Sequence, residues 1–311
     1  MFILTEGETE EAYFTRLGEI LGDDDEWKYS VTVDVREIRD GSKTDPVHIV
    51  KEAKESKKTY DEVWVVFDKD RERDDENFKA IDLAKKWKIE VLFSSISFEE
   101  WVLLHFERST KAFERSDCES RGETCICNGT ICTKTYIKQN YYSAYEKGKK
   151  VKAKLYDDLR DKQNIALENA AWLRLQHSPI TNYYLLNPYT NVDIFVAQLL
   201  GLPAIRYVKV NSIFDFDGID FCVTNHSMTN DVITVSLLVK NNSIKTFVFN
   251  TLQNVYLIGA NNEEFAYNIS ETQVINQGES KEVNLQFTIN LQFQVPKLKF
   301  QAVNELVYVE L

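Results

Sequence analysis

Carboxylates at the ends of neighbouring strands can hold a divalent cation, and three stretches of this 311-residue chain carry them. Glu6-Gly7-Glu8-Thr9-Glu10 follows the apolar run Phe2–Thr5, and Asp68-Lys69-Asp70 follows the β-branched and aromatic run Glu62–Phe67. Glu99 and Glu100 follow the strand-like Ile89–Phe93 through Ser94–Ser97. Asp68 and Asp70, two apart in extended chain, project to the same side and can share one cation. Magnesium held by carboxylates keeps water ligands and open positions for phosphate oxygens, so it can activate water and neutralise charge on a phosphodiester. Glu6, on a neighbouring strand end, then serves as metal ligand or general base. Taken singly, each piece has a plainer reading. Asp-x-Asp is a solvated turn, Glu100 the acid of a capping box, and Glu8 and Glu11 solvated acids at a helix start. Three acidic strand ends in one sheet favour the metal site.

Two further clusters could do chemistry. Four of the five cysteines crowd together as Cys118-x6-Cys125-x-Cys127-x4-Cys132, with Gly122 and Gly129 between them. Four thiolates in a short polar loop can enclose a tetrahedral zinc that stabilises an insertion too small to have a core; the alternative is four reduced, unligated thiols. Residues 134–162 carry nine Lys or Arg against four Asp or Glu. There Lys147, Lys149, Lys150, Lys152 and Lys154 lie among Tyr141, Tyr142, Tyr145 and Tyr156. Positive charge interleaved with aromatic rings suits a single-stranded nucleic acid. A solvated helix face whose tyrosines pack inward accounts for the same pattern.

The elements that must position these groups alternate through the first hundred residues. A strand at Phe2–Thr5 precedes a helix over Glu10–Leu21, and Tyr29–Ile38 alternates as a strand. Asp45-Pro46, an N-cap acid before a proline, starts a helix over Val47–Lys57. The strand Glu62–Phe67, helix Asp74–Trp87 and strand Ile89–Phe93 follow, and Ser97-Phe98-Glu99-Glu100 reads as a capping box opening the helix Phe98–Phe106. Strands separated by helices of this length predict a parallel sheet with helices on both faces, whose functional groups gather past the carboxyl ends of the strands. Residues 107–135 form a polar, cysteine-rich insertion, and 136–202 are largely helical up to Gly201 and Pro203.

Composition steps at that point. Residues 1–204 hold 68 charged side chains and residues 205–311 hold 18, which marks a domain boundary. From Ile205 short strands alternate with Asn- and Gly-containing turns: Ile219–Val223, Val232–Val239, Thr246–Asn250, Val255–Ile258, Glu264–Ile269 and Val283–Ile289. This pattern predicts an all-β sandwich of immunoglobulin type. A net charge of −12 argues against coating nucleic acid by bulk electrostatics and leaves room for a metal-dependent enzyme with a local basic patch. No apolar stretch is long enough to span a bilayer and no secretory pattern opens the chain, so the expected location is the cytoplasm.

Glu6-Gly7 with Thr9-Glu10 and Tyr13-Phe14, the strand ending Phe67-Asp68-Lys69-Asp70, and Ser97-Phe98-Glu99-Glu100-Trp101-Val102-Leu103-Leu104-His105-Phe106 together resemble the RloB-like proteins. That family is a branch of the Toprim superfamily near the OLD-type nucleases. Asp45-Pro46 and Asn187-Pro188-Tyr189-Thr190-Asn191-Val192 are further points of likeness, which extends over about residues 1–202. The resemblance implies a Toprim-like α/β domain and magnesium- or manganese-dependent phosphodiester cleavage of DNA, RNA or tRNA. It also implies a role in bacterial antiphage defence by abortive infection, with an AAA-type ATPase as a partner. It gives Glu6 the role of the Toprim glutamate, gives Asp68 and Asp70 that of the metal-binding pair, and adds Glu10, Glu99 and His105 to the site. For His105, capping of a helix end is an equal alternative. Against the nuclease stands a sensor or adaptor that binds an ATPase or a phage protein through its sandwich without cutting, alone or as a homo-oligomer. A ligase- or primase-like enzyme ranks last, because no partner module for that chemistry is visible. The three intact acids favour the nuclease.

Overall fold

Phe2-Ile3-Leu4-Thr5 has no polar face, as suits a strand covered on both sides, and it becomes β1 (Phe2–Thr5), buried along its whole length. The structure, a computed structural model, describes residues 1–22, 32–35, 45–69, 74–117, 131–146, 154–178, 182–229, 231–249, 255–259, 263–267, 272–289, 297–302 and 305–311. It divides into two units, Met1–Gly201 and Leu202–Leu311.

In the first unit β1 lies between β2 (Thr32–Val35) and β3 (Val63–Asp68). β4 (Glu90–Ser95) and β5 (Tyr189–Thr190) complete the sheet in the order β2-β1-β3-β4-β5. Its first four strands are parallel, and β5 closes the edge antiparallel to β4. Alternate side chains of β3 serve opposite faces. Val63, Val65 and Phe67 pack with Ile49, Val50 and Ala53 of α2 (Pro46–Ser56) and Ala80 and Ala84 of α3 (Asp74–Trp87). On the other side Trp64 meets Phe195 of α8 (Val192–Leu199), whose ring also meets Phe14 of α1 (Glu8–Gly22). Asp45 caps α2 as its position before Pro46 requires: the carboxylate Oδ1 accepts from the Val47 N–H at 2.8 Å.

The capping box does not form. α4 (Glu99–Leu104) is buried on every side, so Ser97 and Glu100 point inward rather than across a helix end. Ser97 Oγ and Glu100 Oε1 are buried without hydrogen-bond partners, and Phe98 occupies the N-cap position. Burial pushes the Glu100 carboxyl well above the usual carboxylate range, and the nearby charge of Glu107 adds to the effect. The region expected to be largely helical contains α5 (Thr133–Asn140), α6 (Lys154–Leu159) and α7 (Gln163–Gln176), with a turn at 142–145 between the first two.

The segment Asn187–Val192 fastens the sheet edge. Asn191 continues the strand ladder with its side chain, Oδ1 accepting from Phe93 N at 2.7 Å and Nδ2 donating to Val91 O at 2.9 Å. Asn187 donates to Phe113 O, and a buried ion pair between Arg174 and Asp193 joins α7 to α8.

The second unit contains β6 to β16 and no helix among its described residues. β7 (Ile213–Phe216), β8 (Ile219–Thr229), β9 (Val232–Asn241) and β14 (Ser280–Thr288) form one antiparallel sheet. β12 (Glu264–Ala266), β11 (Val255–Ile258), β15 (Lys297–Gln301), β16 (Glu305–Glu310) and β6 (Ala204–Lys209) form a second, in that order, and β10 (Phe247–Phe249) pairs with β13 (Gln273–Ile275). One core joins them, with Val235, Leu237, Leu285 and Phe287 from the first sheet and Leu257, Leu298, Val307 and Val309 from the second. β6 pairs in parallel with β16, so the first and last strands of the unit lie side by side. No described helix is long and apolar enough to cross a membrane.

A relay of three hydrogen bonds fixes α4 against α1 and α7. Tyr13 donates to Gln163 Oε1 at 3.1 Å, and Gln163 Nε2 stands 3.0 Å from His105 Nε2. His105 Nδ1 stands 2.9 Å from the Trp101 carbonyl. A carbonyl can only accept, so Nδ1 carries the proton and Nε2 accepts from the Gln163 amide. Burial lowers the His105 pKa to about 4. A ring neutral in the folded protein and titrating at 6.5 when unfolded contributes stability that is complete above about pH 6.5. That stability, up to roughly 3 kcal/mol, is lost as pH falls toward 4. Denaturant midpoints taken between about pH 7.5 and 4.5 therefore fall more steeply for the wild type than for His105→Gln. Parallel pH profiles would refute the neutral ring.

Candidate active site

The sheet order decides where a site forms. The chain leaves β1 toward β2 on one side and returns to β3 on the other, so the connections diverge at the carboxyl ends of β1 and β3, where open α/β sheets keep a crevice. Glu6 follows β1 and Asp68 ends β3, so the crevice is lined by the acids. Glu6 N donates to Val66 O at 2.9 Å, which carries the ladder one residue past β1, and Glu6 Oε2 accepts from the Asp68 N–H at 3.3 Å. The end of β3 is clamped further on. Lys69 N donates to Ser94 O at 2.9 Å, and buried Asn77 on α3 donates to Lys69 O at 2.9 Å.

Gly7 lies against the carboxyl end of the Glu10 side chain. A methyl group there would overlap the Glu10 carboxyl, with Glu10 Cδ 3.1 Å from the position a Cβ would take. The acid one helical turn on thus folds back over the glycine, where it is only 4 % exposed. Glu99 is fully buried, and its Oε1 accepts from the Tyr145 hydroxyl at 2.8 Å. Tyr145 holds its proton far more tightly than an ordinary tyrosine. Burial is the largest cause, and the negative charges of Glu99, Glu10 and Asp68 add to it. Carboxylates from three chain segments therefore raise the proton affinity of one buried phenol, and Glu99 is hydrogen-bonded to it. Tyr145 itself sits on a turn held by Glu146, which pairs with Lys138 at 2.8 Å and with buried Lys134 at 3.6 Å.

Glu6, Glu10, Asp68 and Glu99 thus stand at or beside the crevice, whereas Asp70 lies outside the described residues. Among the described residues no three His, Cys, Asp or Glu side chains stand close enough to hold a metal ion. His105 belongs to another network. Both ring nitrogens are committed to Trp101 and Gln163, and the ring satisfies a carbonyl of the last turn of α4, so it positions the helix and has no nitrogen left for a substrate proton. Cys132 is buried at the N-cap of α5 with Sγ 3.1 Å from Thr135 Oγ1, while Cys118, Cys125 and Cys127 lie outside the described residues. Lys154 is exposed at the start of α6, while Lys147, Lys149, Lys150 and Lys152 lie outside. The aromatic residues of this stretch pack inward in part, Tyr145 onto Glu99 and Tyr156 against Tyr13. No sequence signal links Tyr145 to an acid 46 positions earlier; only the folded chain joins them.

The fit of Glu10 over Gly7 gives a measurable coupling. Gly7→Ala destabilises the fold by about 1–3 kcal/mol in the wild type through overpacking, and by much less in the Glu10→Ala background, where the overlap is gone. Equal costs in both backgrounds, read by denaturant unfolding, would show that Glu10 does not occupy that space.

Comparison with known proteins bears on the two units differently. Among solved structures, the yjhA protein of Bacillus subtilis is similar at 12% identity, over 33% of this chain and 98% of its own, with a TM-score of 0.28. An uncharacterised β-sandwich protein of Clostridium difficile 630 is similar at 8% identity, over 35% of this chain and 95% of its own, with a TM-score of 0.30. At TM-scores this low the likenesses support no inference about the chain. No curated protein matches it. The sequence profile of the RloB-like protein family matches residues 1–199. That span is more than half of the chain and takes in all the acids of the crevice, so the chain belongs to the RloB-like protein family.

Proposed function

We propose that this protein is a magnesium-dependent phosphodiesterase with a Toprim-like core that cuts nucleic acid as an effector of antiphage defence. The observation that carries the reading is the meeting of Glu6 and Asp68 at the switch point between β1 and β3, with buried Glu10 folded over Gly7 and buried Glu99 hydrogen-bonded to Tyr145. Carboxylate oxygens are the ligands magnesium prefers, and a cation in the crevice would offset the negative charge of the acids that line it. Glu6, Asp68 and Asp70 would hold the ion. When bound, it supplies a Lewis acid for the phosphoryl oxygens and lowers the pKa of a ligating water.

The chain's own residues have separable tasks in this reading. Glu6 is oriented by the Asp68 backbone N–H, and Tyr145 keeps Glu99 in one rotamer by donating to it. Lys154 and the lysines before it supply positive charge for the phosphate backbone of the substrate, which is DNA, RNA or tRNA. The β-rich second unit, taken as an immunoglobulin-like module, recognises a partner such as an AAA-type ATPase or a phage protein. The cysteine cluster holds one structural zinc.

Incubation of the purified protein with mixed DNA and RNA substrates, in magnesium or manganese and in chelator, tests the activity. Cleavage should require the metal and fall at least ~100-fold in Asp68→Ala, with the fold intact by circular dichroism. Tyr145→Phe should keep the fold and lose about tenfold in rate, since it removes one hydrogen bond to a charged group. Metal-independent cleavage, or full activity in Asp68→Ala, would remove the assignment.

A further inference from the structure

The second unit holds a cavity of about 410 Å³ that neither the fold nor the phosphodiester chemistry requires. Protein interiors are packed so closely that voids larger than a water molecule are few, whereas ligand pockets begin at about 300 Å³. The walls are aromatic. Phe216 and Phe221 come from β7 and β8, Phe247 and Phe249 from β10, and Phe300 from β15. These rings contact one another at centroid distances near 6 Å, and Phe216 and Phe247 are only half-buried.

The mouth is polar and rigid. It carries Asp217, Ser243, Lys245, Thr246 and Gln301. Fully buried Asn241 braces this rim, with Nδ2 donating to Lys245 O at 2.7 Å and to Ile275 O at 2.8 Å, while Oδ1 accepts from Ser243 N at 2.9 Å. Gly218 permits the close approach of the opposite turn: at φ +79° it faces Ser243, whose Cα stands 3.3 Å from the position of a Cβ. Beside the mouth Ile244 is 86 % exposed, which extends the apolar surface outward.

We propose that this cavity binds a planar aromatic compound of two or three rings that carries an anionic substituent. Size sets the number of rings, since a cavity of about 150 Å³ accommodates one benzene. The half-buried rings of Phe216 and Phe247, backed by buried Phe221, Phe249 and Phe300, favour flat rings that stack or meet edge to face with them. The charge follows from reach. Lys245 is exposed, and its four-carbon stem can follow a ligand at the mouth. Asp217 has a shorter side chain on the β7–β8 turn, at φ +50°, and can accept from an N–H or O–H of the ligand.

The test titrates the full chain with 1-anilinonaphthalene-8-sulfonate, which has three rings and one sulfonate, and with the neutral N-phenyl-1-naphthylamine. Fluorescence should rise to saturation at one molecule per chain for both. Lys245→Met should weaken the sulfonate about threefold to fivefold and leave the neutral amine unchanged. Ala302→Trp, which adds an indole at the half-buried rim, should abolish binding of both with an unchanged thermal transition. Thr246→Trp, at an exposed rim position, replaces it if that variant fails to fold. Non-saturating fluorescence, or binding undiminished in a folded rim-tryptophan variant, would overturn the site. Equal losses for both probes in Lys245→Met would overturn the anionic class.

Discussion

Burying carboxylates is expensive, and the first unit is arranged around that cost. Glu10, Glu99 and Glu100 are all at most 4 % exposed, within a sheet-and-helix core made largely of aromatic and aliphatic side chains. An ionised acid in such surroundings needs hydrogen-bond donors or a cation, and failing both it keeps its proton. The three acids resolve this differently. Glu99 takes the Tyr145 hydroxyl, Glu10 lies over Gly7 within the charge field of the crevice, and Glu100 is pushed toward the neutral form. Neighbouring glutamates on one buried helix are therefore held differently: Glu99 accepts from the Tyr145 hydroxyl, and Glu100 Oε1 is buried without a hydrogen-bond partner.

That arrangement explains which parts of the sequence could be read and which could not. β1, β3 and β4 are legible because strands buried on both faces must be apolar throughout, and Asp45-Pro46 because a cap and a proline act on their own backbone. Both are local effects. The capping box failed for the opposite reason. Ser97 and Glu100 have the right spacing, but tertiary burial of α4 overrides a local preference worth about 1 kcal/mol. The order of the strands, which brings Glu6 and Asp68 together, has no local signature at all. Neither does the meeting of Tyr145 with Glu99, because the turn carrying the tyrosine is held through Glu146 by the buried cation Lys134, which also pairs with Asp117.

In the second unit the alternation of β8, β9 and β14 was readable, since each presents one face to the core and one outward. β6, β7, β13, β15 and β16 went unrecognised. β15 alternates Lys297, Lys299 and Gln301 with apolar residues, and its lysines do not mark a loop: the Lys299 ammonium lies 5.6 Å from the centre of the Tyr256 ring and donates to Glu264 at 2.7 Å. The parallel pairing of β6 with β16 joins residues about a hundred positions apart and could not be deduced from either strand alone.

The motifs that make the family recognisable are mostly positioning devices. His105 holds α4 to α7, Asn191 lengthens the β4 edge, Asn187 ties down Phe113, and Gly7 leaves room for Glu10. His105, Asn191 and Asn187 each satisfy backbone or side-chain polar groups, so a different side chain there would leave a donor or acceptor unpaired at a cost of about 1–3 kcal/mol where the group is buried. Apolar core positions are far more permissive, because many combinations of similar volume fill the same space. A sequence signature built from buried polar contacts is therefore more specific than one built from the core. Here it marks the frame around the crevice more sharply than the acids themselves, whose Glu-Gly and Asp-x-Asp patterns are short enough to recur in unrelated turns.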